Sequence, residues 1–202
     1  MNNKIFICVL ILLICIQLCF NLHFGYKCIL AEKAVEQIHH QHERINEKYE
    51  FIKNTIKIQH KVLGKQIDCQ IELKNRKYEY LMLEDILKDT TYIIYFPPSI
   101  CNSCNENVLQ NLPFLFSVFG NRLRIISSIN EFNNIIEYCE YQMLEHLYVA
   151  EKDIIDSSLK DRESPYFFKI SKKGIIQSVF YIQNNMLSVF NEYILFLKST
   201  TI

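Results

Sequence analysis

Residues Ile5 to Phe20 read IFICVLILLICIQLCF, sixteen residues of which only Gln17 is polar, and Asn21 to Phe24 extend the apolar stretch to about twenty. A helix of that length spans the ~30 Å hydrocarbon core of a bilayer. The run therefore divides the chain at the outset, with residues 1–24 as one element and everything later as another. A cleaved secretory signal competes, because the run lies near the N-terminus and follows Lys4. A cleavage site near Gly25 or Ala31 would need small residues where His23 and Ile29 stand, and the early cysteines lack the small neighbours of a lipoprotein-processing site. The expectation is an uncleaved signal anchor over 1–24, against a cleaved signal and a buried soluble helix. Lys4 flanks one side and Lys27 and Lys33 the other, so charge bias barely decides the orientation.

Beyond the run, Ala31, Val35, Ile38, His42, Ile45, Tyr49, Ile52 and Ile56 alternate steps of four and three residues, the spacing of a heptad seam. Glu, Lys, Gln and His fill the other faces. The spacing predicts a helical stalk over 25–60, which either docks on its own domain or pairs with a second copy through 31–56. His39, His40 and His42 are read as residues of a solvated face, because metal sites usually draw ligands from more than one element. No metal is expected.

Half of the 202 residues are hydrophobic, enough to bury a sizeable core. The 22 basic and 22 acidic residues cancel, which leaves no broad positive field and makes nucleic acid an unsuitable partner. After Gly64, Gln66 to Leu73 alternates Ile67, Cys69, Ile71 and Leu73 with polar residues and predicts a half-buried strand that turns at Asn75-Arg76 into Tyr78 to Leu81. Leu83 to Leu87 suggests a short helix. TTYIIYF, Thr90 to Phe96, has no polar alternation and predicts a central strand buried on both faces. Apolar spacing then predicts one helix from the Cys101 to Cys104 segment to Gly120. Leu123 to Ile126 reads as a short strand, followed by a helix capped by Asn130 with Phe132, Ile135, Ile136, Cys139, Met143 and Leu147 on its apolar face. Tyr148-Val149 offers a strand, Tyr166 to Ser171 and Ile175 to Ile182 a hairpin around Lys172-Lys173-Gly174, and Asn185 to Lys198 a last helix. Alternating strands and helices imply a mainly parallel central portion.

Of eight cysteines, Cys8, Cys15 and Cys19 lie in the first apolar run, Cys28 just beyond it, and Cys69 and Cys139 stand alone at apolar-face positions, where they read as small hydrophobes. Only Cys101 and Cys104 are paired by spacing, as Cys-Asn-Ser-Cys. A cysteine at a helix start sits near free amide N–H groups and the positive end of the dipole, which stabilises its thiolate. A second cysteine three residues on lies in the first turn, where it can close a disulfide on the first. Half a zinc site is the competing reading, but no second Cys-x-x-Cys or His-x-x-His follows.

Strand, Cys-x-x-Cys opening a helix, strand, helix, then a proline before a hairpin and a closing helix: in this order the chain resembles thioredoxin-like proteins over about 61–199. It is most similar to the membrane-anchored envelope thiol-disulfide oxidoreductases with an extra N-terminal hairpin. The resemblance implies an α/β fold, a central mixed sheet flanked by helices, with an N-terminal β-hairpin extension, over 61–202. It implies that Cys101 attacks, that Cys104 resolves, that Pro165 is cis, and that Ser164 and Pro165 border an extended substrate segment. Asn102 and Ser103 occupy the positions that tune the potential. No cofactor is expected beyond a redox-active Cys101–Cys104 disulfide. The partners implied are protein thiols and disulfides and the membrane, with the domain facing the periplasm or envelope. The sequence departs from the pattern in three places. Ile100 replaces the usual tryptophan, Asn102-Ser103 replaces the usual dipeptide, and Thr90 to Phe96 lacks the buried acid that helps deprotonate the second cysteine in thioredoxins, leaving Glu106 as the nearest carboxylate. Two other readings stand beside the oxidoreductase. A thiol peroxidase would want threonine where Pro98 stands, and a non-catalytic assembly protein would use the domain only as a scaffold. A copper carrier would need a distal histidine, and His146 is the sole one after the motif.

Overall fold

The computed structural model describes residues 2–98, 102–129, 131–154 and 164–200, with the side chains of 2–5, 102–105 and 184 outside the description. The chain divides into two compact units, 1–50 and 51–202. Helix α1, Asn2–Val62, begins in the first and ends in the second. From Phe6 it is long and apolar enough to cross a membrane.

In the first unit every described side chain is exposed. Three of its four histidines are engaged locally: His39 and His40 lie 3.3 and 3.4 Å from Glu43, and the Asn46 amide meets His42 Nδ1 at 3.2 Å. Such exposed pairs hold little energy. In the second unit, Phe51, Thr55, Ile58 and Val62 are buried while Ile52 and Ile56 stay about half exposed, so the domain takes up a different face of the helix from the heptad seam.

One mixed sheet of seven strands organises the second unit, in the order β2-β1-β5-β4-β3-β6-β7. Strand β3, Thr90–Phe96, lies inside it, buried from Thr91 onward as the unalternated run predicts. It pairs in parallel with β4, Leu123–Ser128, and antiparallel with β6, Tyr166–Ser171. Beyond β4 comes β5, Leu147–Ala150, also parallel. The extra hairpin, β1 Glu72–Asn75 and β2 Tyr80–Met82, attaches antiparallel to β5 and leads into the short helix α2, Leu83–Ile86. Strand β7, Ile176–Tyr181, completes the second hairpin, whose turn sets Gly174 at φ +73, where a Cβ would also collide with Cys69 Sγ.

The two faces are packed differently. On one, Tyr92 stacks on Phe119 at 3.9 Å between ring centroids and on Phe167 at 5.8 Å, and Phe167 meets Phe190 edge-on. Phe119 belongs to α4, Leu112–Phe119, and Phe190 to α6, Leu187–Ser199, so these helices cover that face. On the other, Tyr95, Tyr166 and Tyr181 fall in register across three strands, and Phe51 of α1 packs against Tyr181 at 4.9 Å. The rim of β7 is covered as well. The Gln59 amide donates to Val179 O at 3.1 Å, Gly64 N donates to Ile176 O, Ile176 N to Lys65 O, and Ile67 N to Gly174 O. Backbone groups that an edge strand would leave open are thereby satisfied.

Three sequence expectations are corrected. The first hairpin strand begins at Glu72, six residues later than read, because Asp68 to Gln70 turns instead, with Asp68 accepting from Gln70 N at 2.9 Å. The helix after the cysteines breaks into α3, Asn102–Gln110, and α4, with Asn111 between them. Pro113 has no N–H to donate and crowds the carbonyl four residues back; the Asn111 backbone N–H donates to Val108 O at 3.0 Å, and its side-chain amide donates to Asn191 Oδ1 at 2.8 Å. The helix expected through Leu147 ends at Ile136, as α5, Phe132–Ile136. Glu137 and Glu140 stand at its negative end, and Leu147 to Ala150 gains more as a strand paired on both sides, with β4 and β1. Asn130, the expected cap, lies outside the described residues.

Candidate active site

Strand β3 ends at Phe96, and Pro97, buried, and Pro98, exposed, follow with no N–H to extend the ladder. The chain re-enters regular structure at Asn102, the first residue of α3. Cys104 is therefore a residue of the first turn of α3, and Cys101 immediately precedes it. Cys101 and the side chains of Asn102, Ser103 and Cys104 are outside the described residues, so what the structure supplies is their scaffold: the carboxyl end of a buried strand joined to a helix start. That first turn holds no acidic side chain, and Glu106 lies exposed beyond it. A helix start of this composition brings no carboxylate of its own to its N–H groups and positive dipole end.

Pro165 arrives at the same end of the sheet. It immediately precedes Tyr166, which pairs with Tyr95, the residue before Phe96. Pro165 is buried, Ser164 is half-buried, and the Pro165 carbonyl accepts from Ile182 N at 2.8 Å. One implication of the resemblance is corrected here. No peptide bond among the described residues is cis, so Pro165 follows Ser164 through the intrinsically favoured trans bond. Strand β6, which Pro165 precedes, is an interior strand flanked by β3 and β7.

The sequence reading missed two polar features at this end of the sheet. Tyr95, on the strand that lacks an acid of its own, donates its phenolic hydrogen to Asp153 Oδ1 at 2.6 Å. Burial foremost, and then this carboxylate, hold the Tyr95 hydroxyl well above the usual phenol range, so it stays a donor at any physiological pH. Ser127, beside Phe96 at the end of β4, is fully buried with no hydrogen-bond partner for its hydroxyl among the described residues, and Ser128 shares that lack. An unpaired buried hydroxyl costs about 1–3 kcal/mol. Tyrosines in an apolar run are the sequence signal for a buried polar tip, but nothing local points to an acid 58 residues on.

The remaining thiols in the domain are poor nucleophiles. Burial, then Glu84 and Asp68, raise the Cys69 thiol, which donates weakly to Ile67 O. Burial pushes Cys139 up to about 11. His146 is engaged away from this end: its Nδ1 lies 3.2 Å from Arg124 Nη1, and since a guanidinium only donates, that nitrogen is an acceptor. Arg124 is itself buried, donating to Asn121 O and Leu123 O at 2.8 Å each.

Strand order, the parallel β3-β4 pair, the antiparallel β6-β7 hairpin preceded by proline and the closing helix together define a thioredoxin-like fold carrying an extra N-terminal hairpin. No protein-family model and no curated protein matches the chain. Solved structures similar to it include the thioredoxin domain of a thiol-disulfide oxidoreductase from Bacteroides vulgatus, 11% identical, covering 66% of this chain and 98% of that one with a TM-score of 0.45. A thiol:disulfide interchange protein from Bacteroides sp. is 13% identical over 66% of this chain and 91% of its own, with a TM-score of 0.43. The mitochondrial 2-Cys peroxiredoxin from Plasmodium falciparum is 10% identical over 69% and 94%, with a TM-score of 0.43.

Proposed function

We propose that this protein is a thiol-disulfide oxidoreductase, anchored in the cell membrane by residues 1–24 and exchanging disulfides with envelope proteins through Cys101 and Cys104. One observation carries the reading: the chain's sole Cys-x-x-Cys falls where β3 gives way to α3, at the sheet end to which Pro165 also comes. The helix start stabilises the Cys101 thiolate. That thiolate attacks one sulfur of a substrate disulfide; the S–S bond breaks and the other substrate sulfur leaves as a thiolate, which takes up a proton. Cys104, deprotonated, then attacks Cys101 Sγ, releasing the second substrate thiol and leaving a Cys101–Cys104 disulfide. Two electrons pass to the substrate; run backwards, the same steps oxidise a substrate dithiol. Asn102 and Ser103 set the potential through hydrogen bonds near the sulfurs, and Ser164 and Pro165 border the approaching chain.

The test is a trapping experiment in cells. Cys104→Ser should accumulate mixed disulfides on non-reducing gels, and Cys101→Ser should accumulate none and lose insulin-disulfide reduction. Equal trapping by both variants, or insulin reduction that survives Cys101→Ser, would refute the roles.

A further inference from the structure

In the first unit every described apolar residue of α1 is exposed. Val35, Ile38, Ile45 and Tyr49 are 66, 65, 64 and 63% exposed. They lie on the heptad seam, and the repeat extends one step back from Ala31 to Cys28, which is also exposed. It runs forward through Ile52 and Ile56, 45 and 50% exposed, beside but not on the face taken up by Phe51, Thr55, Ile58 and Val62. A straight helix of 3.6 residues per turn drifts about 20° per heptad from such a seam, so a repeat kept for four heptads is matched to a supercoiled partner rather than to a flat domain surface.

We propose that this seam pairs in parallel with the same seam of a second copy of the chain, bringing Cys28 of the two copies face to face. Area favours the assignment. The six exposed seam residues together offer on the order of 700 Å² per copy, close to the roughly 800 Å² a stable interface buries on each partner. Parallel orientation follows from the anchored reading, on which the proposal rests, because two tethered copies leave the same bilayer in the same direction and at raised local concentration. Charge neither selects nor forbids this register: Lys27 meets Glu32 of the second copy, an attraction, while Lys48 meets Lys53, a solvent-exposed repulsion of similar size. The other thiols of the helix are distinguishable, since Cys8, Cys15 and Cys19 fall on a separate stripe, outside the seam.

Cross-linking of the full-length protein in lipid nanodiscs tests the pairing. Cys8, Cys15, Cys19, Cys101 and Cys104 are replaced by Ser, so the redox pair plays no part and failure of the oxidoreductase reading cannot imitate failure of this one. Diamide then accepts two electrons and two protons from a pair of Cys28 thiols as the disulfide forms. Most of the protein should run as a dimer on a non-reducing gel. Moving the thiol off the seam, by Cys28→Ser with Lys33→Cys, should lower the yield at least tenfold. Ile38→Asp with Ile45→Asp should abolish the dimer by sedimentation without altering the domain's circular dichroism, since both residues are solvent-exposed in the single chain. Equal cross-linking at residues 28 and 33, or a protein that sediments as a monomer at neutral pH with its seam intact, would overturn the proposal. Release from membranes by alkaline carbonate would instead refute the anchor, and with it the parallel arrangement.

Discussion

Helix α1 offers the same kinds of side chain to two different fates. Between Ala31 and Glu50 its isoleucines, valine and tyrosine are exposed, whereas from Phe51 onward one side chain in three or four is buried in the core of the second unit. Composition does not separate the two stretches. What separates them is the availability of a complementary surface: Phe51 meets Tyr181 and Phe180, while Val35 and Ile38 stand exposed within the first unit. Amphipathic periodicity thus predicts that a face will be buried but not what buries it, and a helix can carry two such faces in succession.

The contrast can be broken hardest at the core. Phe190→Ala removes a fully buried ring that touches both Phe167 and Phe180, and should cost about 3–5 kcal/mol, read as a lower denaturant midpoint at unchanged slope. A loss under 1 kcal/mol would mean that α6 is not packed as described.

A smaller effect is expected at His146. Burial foremost, then Arg124, lower its pKa in the folded protein, so the unfolded chain binds the proton more readily. Its contribution is complete above about pH 6.5 and is lost as the pH falls from there through the folded-state value. Unfolding measured from about pH 7 to about pH 5 should show stability falling with a slope that shrinks in His146→Gln; identical slopes would show that another group governs this range.

The smallest effect belongs to the exposed stretch. Ile45→Ala should change the unfolding of the second unit by less than about 0.5 kcal/mol. A larger change would mean that the seam supports the domain, and the distinction between the two stretches would collapse.

Strand β3 was legible to the residue because a run buried on both faces leaves an unalternated β-branched and aromatic signature. The junction between that strand and the helix that follows it, and the proline before the hairpin, were legible for the same reason: each is a local pattern. The stretch from Phe132 to Leu147 was not, since the spacing of its apolar residues suits a helix while the open flanks of β4 and β1 reward a strand at Leu147. Pro113 did signal its break, and the run of apolar residues on either side concealed it. The Tyr95–Asp153 bond and the orphaned Ser127 hydroxyl arise from chain returns that no local window contains.

The hydrogen bonds along β7 have a consequence for where this protein can be cut. A version beginning near residue 61 would keep all seven strands yet lose Gln59, Phe51, Thr55 and Ile58, baring the Val179 carbonyl together with the aromatic rings beside it. Such a fragment would carry a sticky rim, open to strand addition by another copy and so to precipitation, whereas a version beginning near residue 48 would bring its own cover and stay dispersed.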